Sequence, residues 1–175
     1  TTRYFINKNK FTPSIIIKTI DHLYAGIKAD FNTTEATDLS VLMSEDITIL
    51  NDTNDLKTSG IGLNLYFDSR NIRTNPTKGF LLCLEGVTYN KFLGGNYTYQ
   101  LLGLDYRHYM PLFRKGSIIA WQLNTTLGFG NMPWSELQKI GSQNELRGFF
   151  YGQYRDKSLA FLQFEYRHTF PGNKK

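Results

Sequence analysis

The side chains that usually carry catalysis are thinly spread in this sequence. Its three histidines, His22, His108 and His168, lie far apart with no further ligand at metal-binding spacing, so they read as interfacial or rim residues. The single cysteine, Cys83, excludes an internal disulfide and a cysteine-based metal cluster. There is no Gly-x-Ser-x-Gly elbow, no P-loop and no His-Glu-x-x-His pair, and Gly94-Gly95-Asn96 reads as a turn. Asp105 and Glu165 could be cast as the paired carboxylates of glycoside hydrolysis. The adjacent Arg107 and Arg167 favour ion pairs instead. The expectation is no enzyme, no cofactor and no metal. The remaining chemistry is recognition by an arginine. Leu146-Arg147-Gly148-Phe149 sits in a long loop, where a planar, permanently charged fork can pair a carboxylate and the glycine lets the backbone turn beside it. Such a tip can fold back into a polar lumen and anchor there, or it can remain an ordinary surface loop.

The elements that must position these residues are strands. Aromatics make up 15% of the 175 residues, with 13 Phe and 11 Tyr against 2 Trp, a mix that suits a pleated surface. Alternation recurs along the chain. Ile61, Leu63, Leu65 and Phe67 oppose Gly62, Asn64, Tyr66 and Asp68, while Leu102, Leu104, Tyr106, His108 and Met110 oppose Gly103, Asp105, Arg107 and Tyr109. Ile119, Trp121, Leu123, Thr125 and Leu127, and then Leu162, Phe164, Tyr166 and His168, repeat the pattern. It predicts strands over 3–8, 11–20, 23–33, 58–69, 79–91, 96–111, 116–130 and 157–170. Short connections at Asp21-His22, Asn71–Lys78 and Leu112–Lys115 alternate with long ones at 34–57 and 131–156. An even number of crossings puts both long loops on one rim, and the 34–57 segment, with its apolar Val41-Leu42-Met43, reads as a surface loop.

A soluble sandwich would turn the apolar faces inward; a membrane barrel would turn them outward around a polar lumen. Three features favour the barrel. The strands are long enough for the roughly nine to eleven residues a spanning strand needs. Tyr97, Tyr99, Tyr106, Tyr109, Tyr166 and Phe170 gather towards strand ends like an interfacial girdle. Asp105, Arg107, Glu165 and Arg167 need a wet or mutually paired interior. The net charge of +5 is scattered with no basic block, which argues against nucleic acid, and no apolar run approaches the ~20 residues of a spanning helix.

Four motifs in order carry a resemblance to a family. Leu146-Arg147-Gly148-Phe149 resembles the Val/Leu-Arg-Gly-Phe/Tyr loop signature of the bacterial surface antigen family, the superfamily of BamA/TamA-type assembly barrels and two-partner secretion proteins. Leu104–Leu112 resembles its Leu-Arg-Tyr-Tyr-x-Pro-Leu strand end, and Pro133-Trp134-Ser135-Glu136-Leu137 with Ile140-Gly141 resembles its approach to the loop. Asp68-Ser69-Arg70-Asn71 followed by Pro76 and Gly79 resembles its periplasmic turn. Two departures stand out: Ser142 replaces a second glycine, and the turn motif is contracted after Arg70.

The resemblance implies an all-β antiparallel transmembrane barrel of the bacterial outer membrane. Residues 1–175 would be one incomplete segment without a POTRA domain, its eight strands the fifth to twelfth of a larger, sixteen-stranded barrel. It implies that Arg147 reaches into the lumen to pair with Glu165 of Phe164-Glu165-Tyr166-Arg167. The alternative leaves Glu165 among its neighbours Asp105, Arg107 and Arg167. The implied function is insertion or translocation of client proteins without nucleotide. Partners would be outer-membrane lipid or lipopolysaccharide, client proteins and accessory lipoproteins. The rival functions are the anchor or secretion barrel of a patatin-like or two-partner-secretion protein, and a soluble lipid-binding barrel or sandwich with Leu63, Leu65, Trp121 and Leu123 buried inward.

Overall fold

The computed structural model describes residues 5–37, 55–113, 116–141, 146 and 148–169. Their strands are β1 (Phe5–Phe11), β2 (Ser14–Ile20), β3 (Leu23–Thr37), β4 (Asp55–Asp68), β5 (Gly79–Tyr89), β6 (Tyr99–Pro111), β7 (Ser117–Gly130), β8 (Gln138–Lys139), β9 (Arg155–Asp156) and β10 (Leu159–His168). All but β8 and β9 form one eight-stranded antiparallel sheet in the order β1-β3-β4-β5-β6-β7-β10, with β2 also on β3, curved into a half-barrel.

The strand count hides one correction. β1 and β2 are not successive crossings but lie end to end on the same partner, Phe5–Phe11 against Thr37–Phe31 and Ser14–Ile20 against Lys28–Leu23. The break is at Thr12-Pro13, where proline has no N–H for the ladder. The Pro13 carbonyl still accepts from Ala29 N at 2.9 Å, so the register carries through the interruption. The sheet is eight strands by count and seven across.

Cross-strand register sorts the side chains as the alternation requires. Ile27, Leu63, Leu84 and Leu102 share the outer face with Leu127 and Leu162, and many of them are open, Leu63 to 68%. That exposure removes the sandwich reading, which needs Leu63 and Leu65 buried. Near the rim of short turns the outer face carries a belt of rings. Phe67 stacks on Phe80 at 5.1 Å, Phe80 meets Tyr106 at 5.7 Å, and Tyr106 meets Trp121 at 4.9 Å. His108 lies within it, stacked on Trp121 and bonded through Nδ1 to the Tyr106 hydroxyl at 2.8 Å. Aromatics grouped at one level of the outer face are the mark of a membrane–water interface.

The girdle expectation holds for Tyr106 and Tyr166 and fails for three of the others. Tyr99 and Tyr109 alternate onto the inner face and are buried there, and Tyr97 packs with the inner clusters. Phe170 lies outside the described residues, as does Val41-Leu42-Met43. Position along a strand sets height, but only parity sets the face. β3 and β4 also run further than expected, because Thr34 pairs with Leu56 and Glu35 with Asp55. The strand ends sort by rim as expected: those flanking Asp21-His22 and 69–78 lie on one, and the end of β3, the start of β4, the end of β7 and the start of β10 lie on the other, together with the β5–β6 connection.

Candidate functional site

The inner face is polar by register. Asp68, Leu81, Arg107, Gln122 and Gln163 form one row across five strands, and Gly79, Tyr109, Ala120 and Glu165 form the next. Charges here are neutralised locally. Arg107 donates to both carboxylate oxygens of Asp105, at 2.6 Å from Nη2, and Gln122 Nε2 donates to the same group at 3.1 Å. Arg167 Nη2 donates to Glu165 Oε2 at 2.9 Å, and its guanidinium lies 5.7 Å from the centre of the Tyr109 ring. On a strand, residues two apart share a face, so each such pair is built into one strand. Lys28 and Glu85 pair across strands further along the same face.

The turn between β4 and β5 closes the lower end of this surface. Arg70 grips Asp68 bidentately, Nε to Oδ1 at 2.8 Å and Nη2 to Oδ2 at 3.0 Å, with Arg73 Nε 3.6 Å from Oδ2. Those bonds hold the Arg70 guanidinium above its ordinary pKa, so the turn is closed on the last residue of β4. Asn71 Oδ1 accepts from Thr77 N and Lys78 N, and Pro76 is buried beneath. The contraction noted after Arg70 is thus absorbed by the asparagine. Gly79 has φ +95, and a Cβ there would strike the Ser69 carbonyl oxygen. Gly79→Ala combines left-handed strain with a backbone clash. It is expected to destabilise the protein by about 1–3 kcal/mol, read from the denaturant unfolding midpoint.

The upper end is covered by the long β7–β10 connection, which folds back onto the inner face. Residues Trp134–Glu136 form a 3-10 turn whose indole, 6% exposed, packs on Ala36 and Leu56 beside Tyr97. Met132 and Leu137 pack on a second cluster of Val87, Tyr89 and Tyr99, in which the two tyrosine rings stack at 4.2 Å. The Tyr89 ring lies over Gly60, where a Cβ would meet it at 2.7 Å, and its hydroxyl donates to buried Asp30 at 3.0 Å. One polar tie completes the dock, Lys8 Nζ donating to Glu136 Oε1 at 2.8 Å, while within the wall Lys10 Nζ lies 3.4 Å from Asp30. Beyond it, β8 and β9 pair to make the connection a hairpin. A cavity of about 470 Å³ remains between hairpin and wall, lined by Lys8, Lys28, Glu85, Asp105, Glu136 and Lys139 among others.

Of the loop motif, Leu146 has φ 48 and Gly148 φ 107, a tight reversal in which Phe149 N donates to the Leu146 carbonyl at 3.4 Å. Phe149 packs edge-on against Tyr154 at 5.8 Å. Arg147 itself lies outside the described residues, and its pairing with Glu165 with it. Trp134 and Glu136, which belong to the motif approaching the loop, are its anchor on the wall. Nothing in the alternation marks Lys8 as the partner of Glu136.

The family model described as the Omp85 superfamily domain matches residues 2–175. A comparison with curated proteins found no match. Among solved structures, BamA from Haemophilus ducreyi lacking POTRA domains 1–3 superimposes with a TM-score of 0.65 at 16% identity. The match covers 85% of this chain and 31% of that one, so the chain spans about a third of the length of the structure it resembles.

Proposed function

Because this chain belongs to the Omp85 superfamily, and so forms outer-membrane β-barrel wall, we propose that it is the loop-bearing wall of a barrel that inserts or translocates client proteins without nucleotide. What supports this reading is the docked loop. The β7–β10 connection is held against the inner face by an indole, an ion pair and an apolar cluster, so it narrows the conduit instead of standing clear of the rim. Clients would be other outer-membrane proteins, with accessory lipoproteins and lipid or lipopolysaccharide as further partners. The test is reconstitution: liposomes carrying the full protein should fold and insert an unfolded outer-membrane barrel faster than empty liposomes, with no nucleotide added. Equal rates would end the proposal.

Within it, Arg147 at the loop tip pairs with Glu165 in the lumen, sharing that carboxylate with Arg167. Arg147→Ala is expected to slow client insertion and to reduce the heat-modifiable mobility of the folded barrel. Adding Glu165→Gln should then cost little more, with a coupling of about 0.5–3 kcal/mol in a double-mutant cycle. Fully additive losses would show that the two residues act apart.

A further inference from the structure

Between β5 and β6 the chain makes an excursion that the inner-face site does not use. Asn90 N bonds to the Ser59 carbonyl at 3.1 Å and Asn96 N to the Lys57 carbonyl at 2.7 Å, both continuing the β4 ladder. The residues between them leave the sheet and form a 3-10 turn, Lys91–Leu93. The turn is rigidly built. Asn90 Oδ1 caps it by accepting from Phe92 N at 3.0 Å, and Gly94 ends it in the left-handed conformation at φ 90. Gly95 then crosses so close to β4 that a Cβ would lie 2.9 Å from Ser59 N. The product is a wedge carrying Phe92, 93% exposed, and Leu93.

Beneath the wedge the outer face is hollow. Ala29, Gly86 and Thr88 are small residues set among Ile15, Ile27, Ile61 and Leu63, and with Phe92 and Leu93 they line an open groove of about 1310 Å³. Sites that hold drug-sized ligands run to about 300–1,000 Å³, so there is room for an extended hydrocarbon. The lining is overwhelmingly apolar, which excludes a sugar or a peptide backbone with unmet hydrogen bonds. The groove is also continuous with the outer apolar face, which places it against lipid in an outer-membrane barrel.

We propose that this groove seats one acyl chain of a membrane lipid as a resident ligand, clamped between the wedge and the trough of small residues. Dispersion contacts along the trough and under Phe92 distinguish that chain from the lipids that merely surround the barrel. The substitution Gly86→Phe fills the trough from within. A Cβ at Gly86 meets only Leu102 Cδ1, at 3.9 Å, so the added ring enters the groove without disturbing the sheet. Phe92→Ala removes the roof at a position with no packing to lose.

The full protein is folded into phosphatidylethanolamine–phosphatidylglycerol bilayers, extracted into mild detergent, and its retained lipid counted by native mass spectrometry as detergent is raised. The wild type should keep one lipid after the others have dissociated. Gly86→Phe and Phe92→Ala should each lose it at the lowest detergent concentration, while Leu162→Phe, elsewhere on the outer face, should keep it. Heat-modifiable mobility confirms that each variant is folded. Wild type with no retained lipid, equal retention in Gly86→Phe, or a lipid-free dimer in which a second copy covers the groove would each overturn the proposal.

Discussion

Replacing Trp134 by alanine is expected to release the β7–β10 connection from the inner face and to lower stability by about 3–5 kcal/mol. The indole is 6% exposed, and its two buried contacts, Ala36 on β3 and Leu56 on β4, belong to neighbouring strands. Truncation loses the transfer energy of the ring and leaves a hole that the sheet cannot close, since both partners are fixed by backbone ladders on either side. The effect should also spread. Glu136 sits two residues away and its bond to Lys8 depends on the 3-10 turn that Trp134 begins. The measurements are the urea unfolding midpoint in bilayers and the rate of limited proteolysis within residues 131–156. Faster cleavage with β-sheet content unchanged is the expected outcome. Unchanged cleavage would mean that the indole is incidental and that the Met132–Leu137 cluster and the Lys8–Glu136 pair hold the loop without it.

Which parts of this could be read in the sequence follows from which interactions leave a periodic trace. A strand with one face in lipid and one in a polar lumen must alternate, so Leu63, Leu102, Leu123 and Leu162 announce their face without knowledge of any partner. Charges in the lumen announce themselves too, because Asp105 and Arg107, or Glu165 and Arg167, are two apart and hence on one side. Pro13 was harder. Its missing N–H breaks a strand, but whether the chain continues on the same partner or turns back depends on β3, which no local pattern reports. Tyr99 and Tyr109 misled because aromatic type and position near a strand end suit an interface, while their parity faces them inward. The dock of Trp134 joins it to Ala36 and Leu56, 98 and 78 positions earlier in the chain. It is a tertiary fact with no spacing rule, and only the motif resemblance hinted that the region matters.

The outer face offers the second large effect, and it tests the environment of the whole barrel. Leu63 is 68% exposed, and on a water-soluble protein an arginine at such a site changes stability by no more than about 0.5 kcal/mol. Here Leu63 lies on β4 four residues above Phe67, a member of the aromatic belt, which sets it well inside the hydrocarbon. Leu63→Arg should therefore cost about 2–4 kcal/mol in bilayers, the range for an arginine near the midplane on a lipid-facing strand. Depth gives the control. Phe5 is just as exposed, at 69%, and its partner Thr37 is the last residue of β3 at the long-loop rim, where the same substitution should cost only about 0–1 kcal/mol. Both are apolar-to-arginine changes on the same face, so side-chain chemistry cancels and the difference reports immersion. Equal and negligible costs at the two sites would place Leu63 in water and remove the membrane from the account. A gradient of some kilocalories between them is what hydrocarbon around the middle of the sheet requires.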